Sequence, residues 1–305
     1  MHATRKTHRL SSFLFFVLAG TGLLYFAQLT PAQAATSAQR TLPDGTVQIY
    51  LPVVETEPTA TPTPTATPTS VPTATPTATD IPTPACPTTS NRQFEMIPVL
   101  PPPADHPDDQ HGDLNLALRG YVETSAQLGL IDINGAFDPG APQFPGLFAD
   151  GRTPSFTSAH RVYDWNWACG EHGCRGDELT PRDVTLLGMG ADQGEAISFP
   201  SRGAQIYGGG FVALVLYASE ERITLGYTRD DSVAPGYTVH LESVCVDPNL
   251  LALYRQANLA GRGNLPALRN GDVLGTVKVD ELLAAVRDRG TFMDPRTRKD
   301  WWQGR

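Results

Sequence analysis

The sequence predicts a mainly β fold, an antiparallel sheet or open barrel with one or two short helices, behind a disordered Thr/Pro-rich stalk. Three observations predict it. Successive runs rich in β-branched and aromatic residues, Phe211–Ala218, Arg222–Arg229 and Gly236–Val246, are bounded by "YGGG" and "DDSVAPG". Helical periodicity is confined to one or two stretches near the C-terminus. Between Glu55 and Ala85 proline recurs every two to six residues among Thr and Ala, leaving no apolar face to offset ordering entropy.

In chain order, Arg5, Lys6 and Arg9 precede the apolar run Leu10–Leu29, followed by Ala32 and Ala34 in a small-x-small pattern. Residues 1–34 therefore read as an export signal or a retained membrane anchor, and either places the remainder outside the cell. Residues 35–85 form the stalk, its hydroxyls open to O-glycosylation. Within it "TVQIYLPVV" reads as an isolated strand without a nearby partner. Residues 86–159, with "PVLPPPADHPDD" and "FDPGAPQFPG", read as a turn-rich wrapping segment holding a short strand at "LGLIDING". Residues 160–305 are the β-rich extracellular domain. The strand beginning at Gly236 alternates Tyr237, Val239, Leu241 with Thr238, His240, Glu242, which predicts one buried and one solvent face and leaves His240 exposed. "DPNLLALYRQANLAG" predicts a helix with an Asp-Pro start and a Gly261 stop. "VDELLAAVRDRG" fits helix or strand.

The formal charge of −9 provides no basic face for nucleic acid. Membrane contact is expected only through the N-terminal segment. Four cysteines in an exported chain predict disulfides. The glycines of "GEHG" permit a short Cys169–Cys174 bridge, which leaves Cys86 with Cys245. Aromatic candidates for binding are Trp165 and Trp167, on one face of a strand opposite Asp164 and Asn166, and Trp301 and Trp302 in the polar tail. Ring faces beside amides and carboxylates suit a sugar; the plainer expectation is that Trp165 and Trp167 are core and the terminal pair caps the barrel edge. Arg296, Arg298, Lys299 and Arg305 offer charge to an anionic polymer, and Asp230–Asp231 is a minimal calcium motif.

Three motifs bear on catalysis. "EHGCRGDE" resembles the "SHGC-x-R" signature of L,D-transpeptidases, which would make Cys174 a nucleophile beside His172. Cys169, Cys174, His172 and His160 comprise a loose zinc set. "AHRVYD" places His160 four residues before Asp164, and this resembles the H-x3-D metal motif of the lysostaphin-type zinc endopeptidases, a β-sheet family that cuts peptidoglycan cross-bridges. In matching order, "LLALY" (Leu250–Tyr254) resembles that family's "LYAHL", "LRNGDVLGTV" (Leu268–Val277) its "VKxGQxIGxV" turn, and "VRDRGTFMDP" (Val286–Pro295) its closing "IRxNGxPVDP". The resemblance spans about 160–295 and implies a lysostaphin-type sheet.

The resemblance also places the family's H-x-H at Glu281 and Leu283, and a further catalytic histidine at Gln256. Leucine does not ligate zinc, glutamine does not shuttle a proton, and catalytic zinc normally takes three protein ligands. His160 and Asp164 would remain as a metal remnant or as a carboxylate–imidazole pair, so no cofactor is expected, zinc being the metal this remnant would take. The expected function is a non-catalytic extracellular envelope module binding cell-wall polymer or an envelope protein. The alternative is a peptidoglycan-processing enzyme, either a zinc endopeptidase with atypical ligands or a Cys-dependent transpeptidase.

Overall fold

The computed structural model describes residues 38–41, 47–50 and 85–305. The export segment over 1–34 and most of the stalk lie outside the described residues. Among those described, no helix is long and apolar enough to cross a membrane. In the unit Met1–Pro76, β1 (Ala38–Thr41) pairs antiparallel with β2 (Val47–Tyr50). This corrects the expectation of an isolated strand: the partner strand lies just upstream in the sequence.

The second unit holds β3 (Glu95–Pro98), α1 (Leu116–Arg119), β4 (Tyr121–Glu123), β5 (Phe156–Asn166), β6 (Cys174–Glu178), β7 (Leu186–Gly190) and β8 (Ala196–Ile197). There follow β9 (Phe211–Ala218), β10 (Arg222–Gly226), β11 (Tyr237–Glu242), β12 (Val244–Val246), α2 (Pro248–Leu259) and β13 (Asn264–Arg269). The chain closes with β14 (Gly275–Val277), β15 (Glu281–Asp288), β16 (Thr291–Phe292) and α3 (Arg298–Trp301). Eleven strands make one antiparallel sheet in the order β3-β13-β9-β10-β11-β15-β7-β5-β4, with β16 beside β15 and β6 beside β5; β12-β14-β8 form a smaller sheet. The segment "LGLIDING", expected as a short strand, belongs to neither sheet, since Ile131 makes only an isolated bridge to Thr297.

The ambiguity of "ELLAAVRD" resolves as strand because Leu282–Arg287 is buried on both faces between β11 and β7, whereas a surface helix would leave one side wet. Arg289 and Gly290, with φ of 45° and 78°, supply the two left-handed residues that reverse the chain into β16. α2 is built as its sequence predicts. Pro248 opens it, Asp247 caps the amides of Asn249 and Leu250, and Leu250, Leu251, Tyr254 and Ala257 face inward.

The expected solvent face of β11 does not exist: Thr238, His240 and Glu242 are all buried. Residues 108–120 of the wrapping segment lie over that face and bring Leu116 into a second, smaller core with Val162, Leu186, Leu283, Ala285 and Phe292. The main core fills the opposite face, where Val239, Leu241, Leu282, Ala284 and Val286 alternate with them. His240 is thus a core histidine, 1% exposed.

Both disulfides are present as the cysteine arithmetic predicts. Cys86 joins Cys245 on β12 across 159 positions, and Cys169 joins Cys174 across 5. No cysteine in the chain is free.

Candidate functional site

The sheet register carries several of the singled-out residues onto one face. One row runs Arg222–Glu242–Leu283–Gly188–Ser158 across β10, β11, β15, β7 and β5. Two residues along, Thr224, His240 and Ala285 stand in line, as do Leu186, His160 and Glu123. Gly188 decides what happens between β5 and β15. With no side chain on the intervening strand, Ser158 Oγ reaches over it to donate to Glu281 Oε1 at 2.7 Å, and Thr157 donates to the same oxygen. A Cβ at Gly188 would lie 2.1 Å from Ser158 Oγ and 2.2 Å from Glu281 Oε1. Gly188→Ala is expected to break the Ser158–Glu281 contact and lower stability by about 1–3 kcal/mol, the usual cost of overpacking. Urea unfolding of the two proteins checks this, and an unchanged midpoint would refute it.

His160 continues this polar line. Its Nε2 lies 2.9 Å from Ser158 Oγ. The single hydroxyl proton of Ser158 is committed to Glu281, so the imidazole must donate through Nε2–H. Nδ1 is then a buried lone pair without a partner. Burial holds the imidazole below the ordinary histidine value, opposed by the Glu281 and Glu123 carboxylates. The Tyr121 ring meets His160 edge-on at 5.1 Å, and its phenol is pushed up by burial and by Glu242. Tyr121, Glu123, Ser158, His160 and Glu281 together frame an uncovered polar end of the sheet face. Beside it, Glu123–Ala126 and Thr157–Ala159 line a shallow cleft of about 520 Å³.

Asp164 does not join His160, which corrects both the metal-remnant and the paired-group expectations. Both residues belong to the continuous strand β5, so four residues separate them by about 13 Å. Asp164 instead accepts the Trp165 amide and lies 3.6 Å from Arg119. Leu283, at an H-x-H position, is buried, and Gln256 is on the exposed side of α2. The residues present do not fit a zinc centre here: one imidazole nitrogen is committed to Ser158 and the carboxylate is turned away. Among the described residues, no three His, Cys, Asp or Glu are grouped to hold a metal ion. The Cys174 nucleophile and the Cys169/Cys174/His172/His160 zinc set meet a different obstacle, since both sulfurs are spent in the disulfide.

The second cluster is at the β5 tip. β5 ends at Asn166, so Trp167 leaves the strand and lies in the turn just before the disulfide-closed loop 169–174, rather than beside Trp165 on a strand face. The two indoles still meet edge-on, 6.2 Å between centroids. Trp165 is half-buried against Gly112, whose missing Cβ makes room for the ring, and donates through Nε1 to the His172 carbonyl at 3.2 Å. Trp167 remains 40% exposed. His106 stacks on it at 5.2 Å and His111 meets it edge-on at 4.9 Å, while His172 approaches His106 at 5.8 Å. His106 and His111 were not singled out in the sequence. The only signal for them is the pair of imidazoles in "DHPDDQHGD", within a stretch read as wrapping.

The remaining candidates are structural. Trp301 and Trp302 are buried and donate to the carbonyls of Asp294 and Pro295, so neither offers a ring face to a sugar. This corrects their place among the binding aromatics. In the tail, Arg296 is paired with Asp294, Arg298 with Asp132 and Lys299 with Asp300, while Arg305 donates to the Gly151 carbonyl. Asp231 is no calcium ligand either: its carboxylate is buried and held by Arg262. Set against protein-family models, curated proteins and solved structures, the chain finds no match.

Proposed function

We propose that the chain is an exported, non-catalytic envelope module that binds cell-wall polymer through the β5 tip, on a scaffold related to the lysostaphin-type sheet. The observation that carries the reading is Trp167. It is the one tryptophan whose ring remains substantially exposed, while the rings of His106, His111 and Trp165 pack against it next to the disulfide-closed loop 169–174. A rigid aromatic with little rotamer freedom to lose is a preorganised recognition surface. Imidazole nitrogens around it supply donors and acceptors to sugar hydroxyls. The two disulfides fit an oxidising compartment. The absence of hydrolysis is supported by Glu281 and Leu283 standing where the resembled family has histidines, and by the separation of His160 from Asp164.

Co-sedimentation of the full chain with insoluble cell wall tests this. The wild type is expected to pellet with the wall. Trp167→Ala is expected to bind at least tenfold more weakly, because truncating a central aromatic anchor costs about 2 kcal/mol or more. Release of soluble wall fragments without added hydrolase would overturn the non-catalytic reading. A wild type that stays in the supernatant would overturn the polymer and leave an envelope protein as the ligand.

A further inference from the structure

The segment over the large sheet is fastened by groups that tolerate protons poorly. Thr224 Oγ1 donates to the Leu114 carbonyl at 2.6 Å and lies 2.9 Å from His240 Nδ1. A hydroxyl has one proton, so the second contact requires His240 to donate through Nδ1–H. His240 Nε2 is then a bare lone pair, buried and without a partner, in a ring stacked on Phe292 at 5.9 Å. A proton on Nε2 would make a buried cation with no acceptor. The groups facing it are Arg287 from β15, Arg119 from α1 and Asp113 from the covering segment. Asp113 is the only anion among them, and it already accepts from both guanidiniums.

A second imidazole controls how Asp113 is presented. His111 Nδ1 accepts the Asp113 amide at 3.3 Å, a bond available only while that nitrogen is unprotonated. Around His111 stand Asp113 on its own segment, Asp105 and His106 on the preceding loop, and Asp231 from the β10–β11 connection.

We infer that residues 108–120 form an acid-released strap, closed over the sheet face while His240 and His111 are neutral and opened locally when they gain protons. The sign follows from linkage. Burial, with Arg287 and Arg119 beside it, holds His240 well below the ordinary value of 6.5, and burial likewise lowers His111. Freed from the sheet, both imidazoles return towards 6.5 and bind more protons than in the closed state. Closure is therefore favoured above pH 6.5 and weakens as the pH falls below it. Opening would uncover Phe292, Leu283 and Ala285, and remove the support of Tyr121 beside the polar end of the face. The strap does not rest on the ligand reading, and its test involves no ligand.

Amide hydrogen exchange of the full chain, followed by mass spectrometry between pH 7.5 and 5.5 and corrected for intrinsic rates, reads the opening directly. Peptides covering 111–119 are expected to lose at least tenfold protection over that range, while β9 peptides lose less. His240→Asn keeps an N–H for Thr224, and His111→Asn keeps an acceptor for the Asp113 amide; neither side chain titrates. The double variant is expected to show a flat profile in the strap. Wild-type strap protection that follows β9 at every pH would overturn the inference. So would a double variant with the wild-type profile. If His240→Asn does not fold, the wild-type profile and a reduced slope in His111→Asn carry the same test.

Discussion

Arg262→Ala is expected to lower stability by about 3–5 kcal/mol, the range for breaking a buried ion pair by removing one partner. The guanidinium has five N–H groups, and all five are used. Nε and Nη2 hold the two oxygens of Asp231 at 2.6 and 2.7 Å, Nη1 reaches Tyr254 and Asn258, and Nη2 also reaches the Leu216 carbonyl. Asp231 also accepts the amide of Ala104 and is buried. Truncation would strand its charge in the interior and unfasten α2 from both β9 and the β10–β11 connection. Arg262→Lys restores charge without the planar fork and is expected to recover only part of the loss. The residue also sits at a positive φ of 60°, a conformation that costs an L-residue energy and that the network evidently outweighs. Urea denaturation should show a lower midpoint at unchanged slope; a loss below about 1 kcal/mol would mean that Asp231 finds solvent or another partner.

Removing the long disulfide with Cys86→Ala and Cys245→Ala is expected to cost about 5 kcal/mol, against about 2 kcal/mol for Cys169→Ala with Cys174→Ala. The difference comes from the unfolded chain. A bridge spanning 159 positions forbids far more conformations than one spanning 5. Equilibrium unfolding of the two double variants tests the ordering, and a larger loss from the short bridge would show that native packing at the β5 tip outweighs loop closure.

Features set by neighbouring residues were legible in the sequence. The three strands from Phe211 to Val246, the Asp-Pro start of α2 and the pairing of the cysteines all rest on local pattern or simple elimination. β15 was ambiguous because "ELLAAV" satisfies both periods, and only its neighbours β11 and β7 decide. His240 was misjudged because alternation along β11 reports nothing about a cover supplied by Leu114, 110 positions from the Thr224 that holds it. The His160/Asp164 spacing resembled a metal motif, yet a continuous strand pulls the two side chains apart. The Ser158–Glu281 contact spans 123 positions and depends on a glycine in a third strand. The tryptophans differ for a similar reason: Trp301 and Trp302 looked exposed in a charged tail, but those charges are held by acids or, for Arg305, a backbone carbonyl, and the indoles turn inward.

The Cys86–Cys245 bond has a mechanical consequence as well. Tension arriving along the Thr/Pro-rich segment meets Cys86 before any hydrogen-bonded strand of the large sheet and crosses the sulfur bridge to β12. Residues 87–244 form a covalently closed bypass, so a pull between the N-terminal segment and residues 246–305 runs past β3 to β11 and the Trp167 turn. A load entering at that end therefore reaches the domain at β12 instead of peeling β3 from β13.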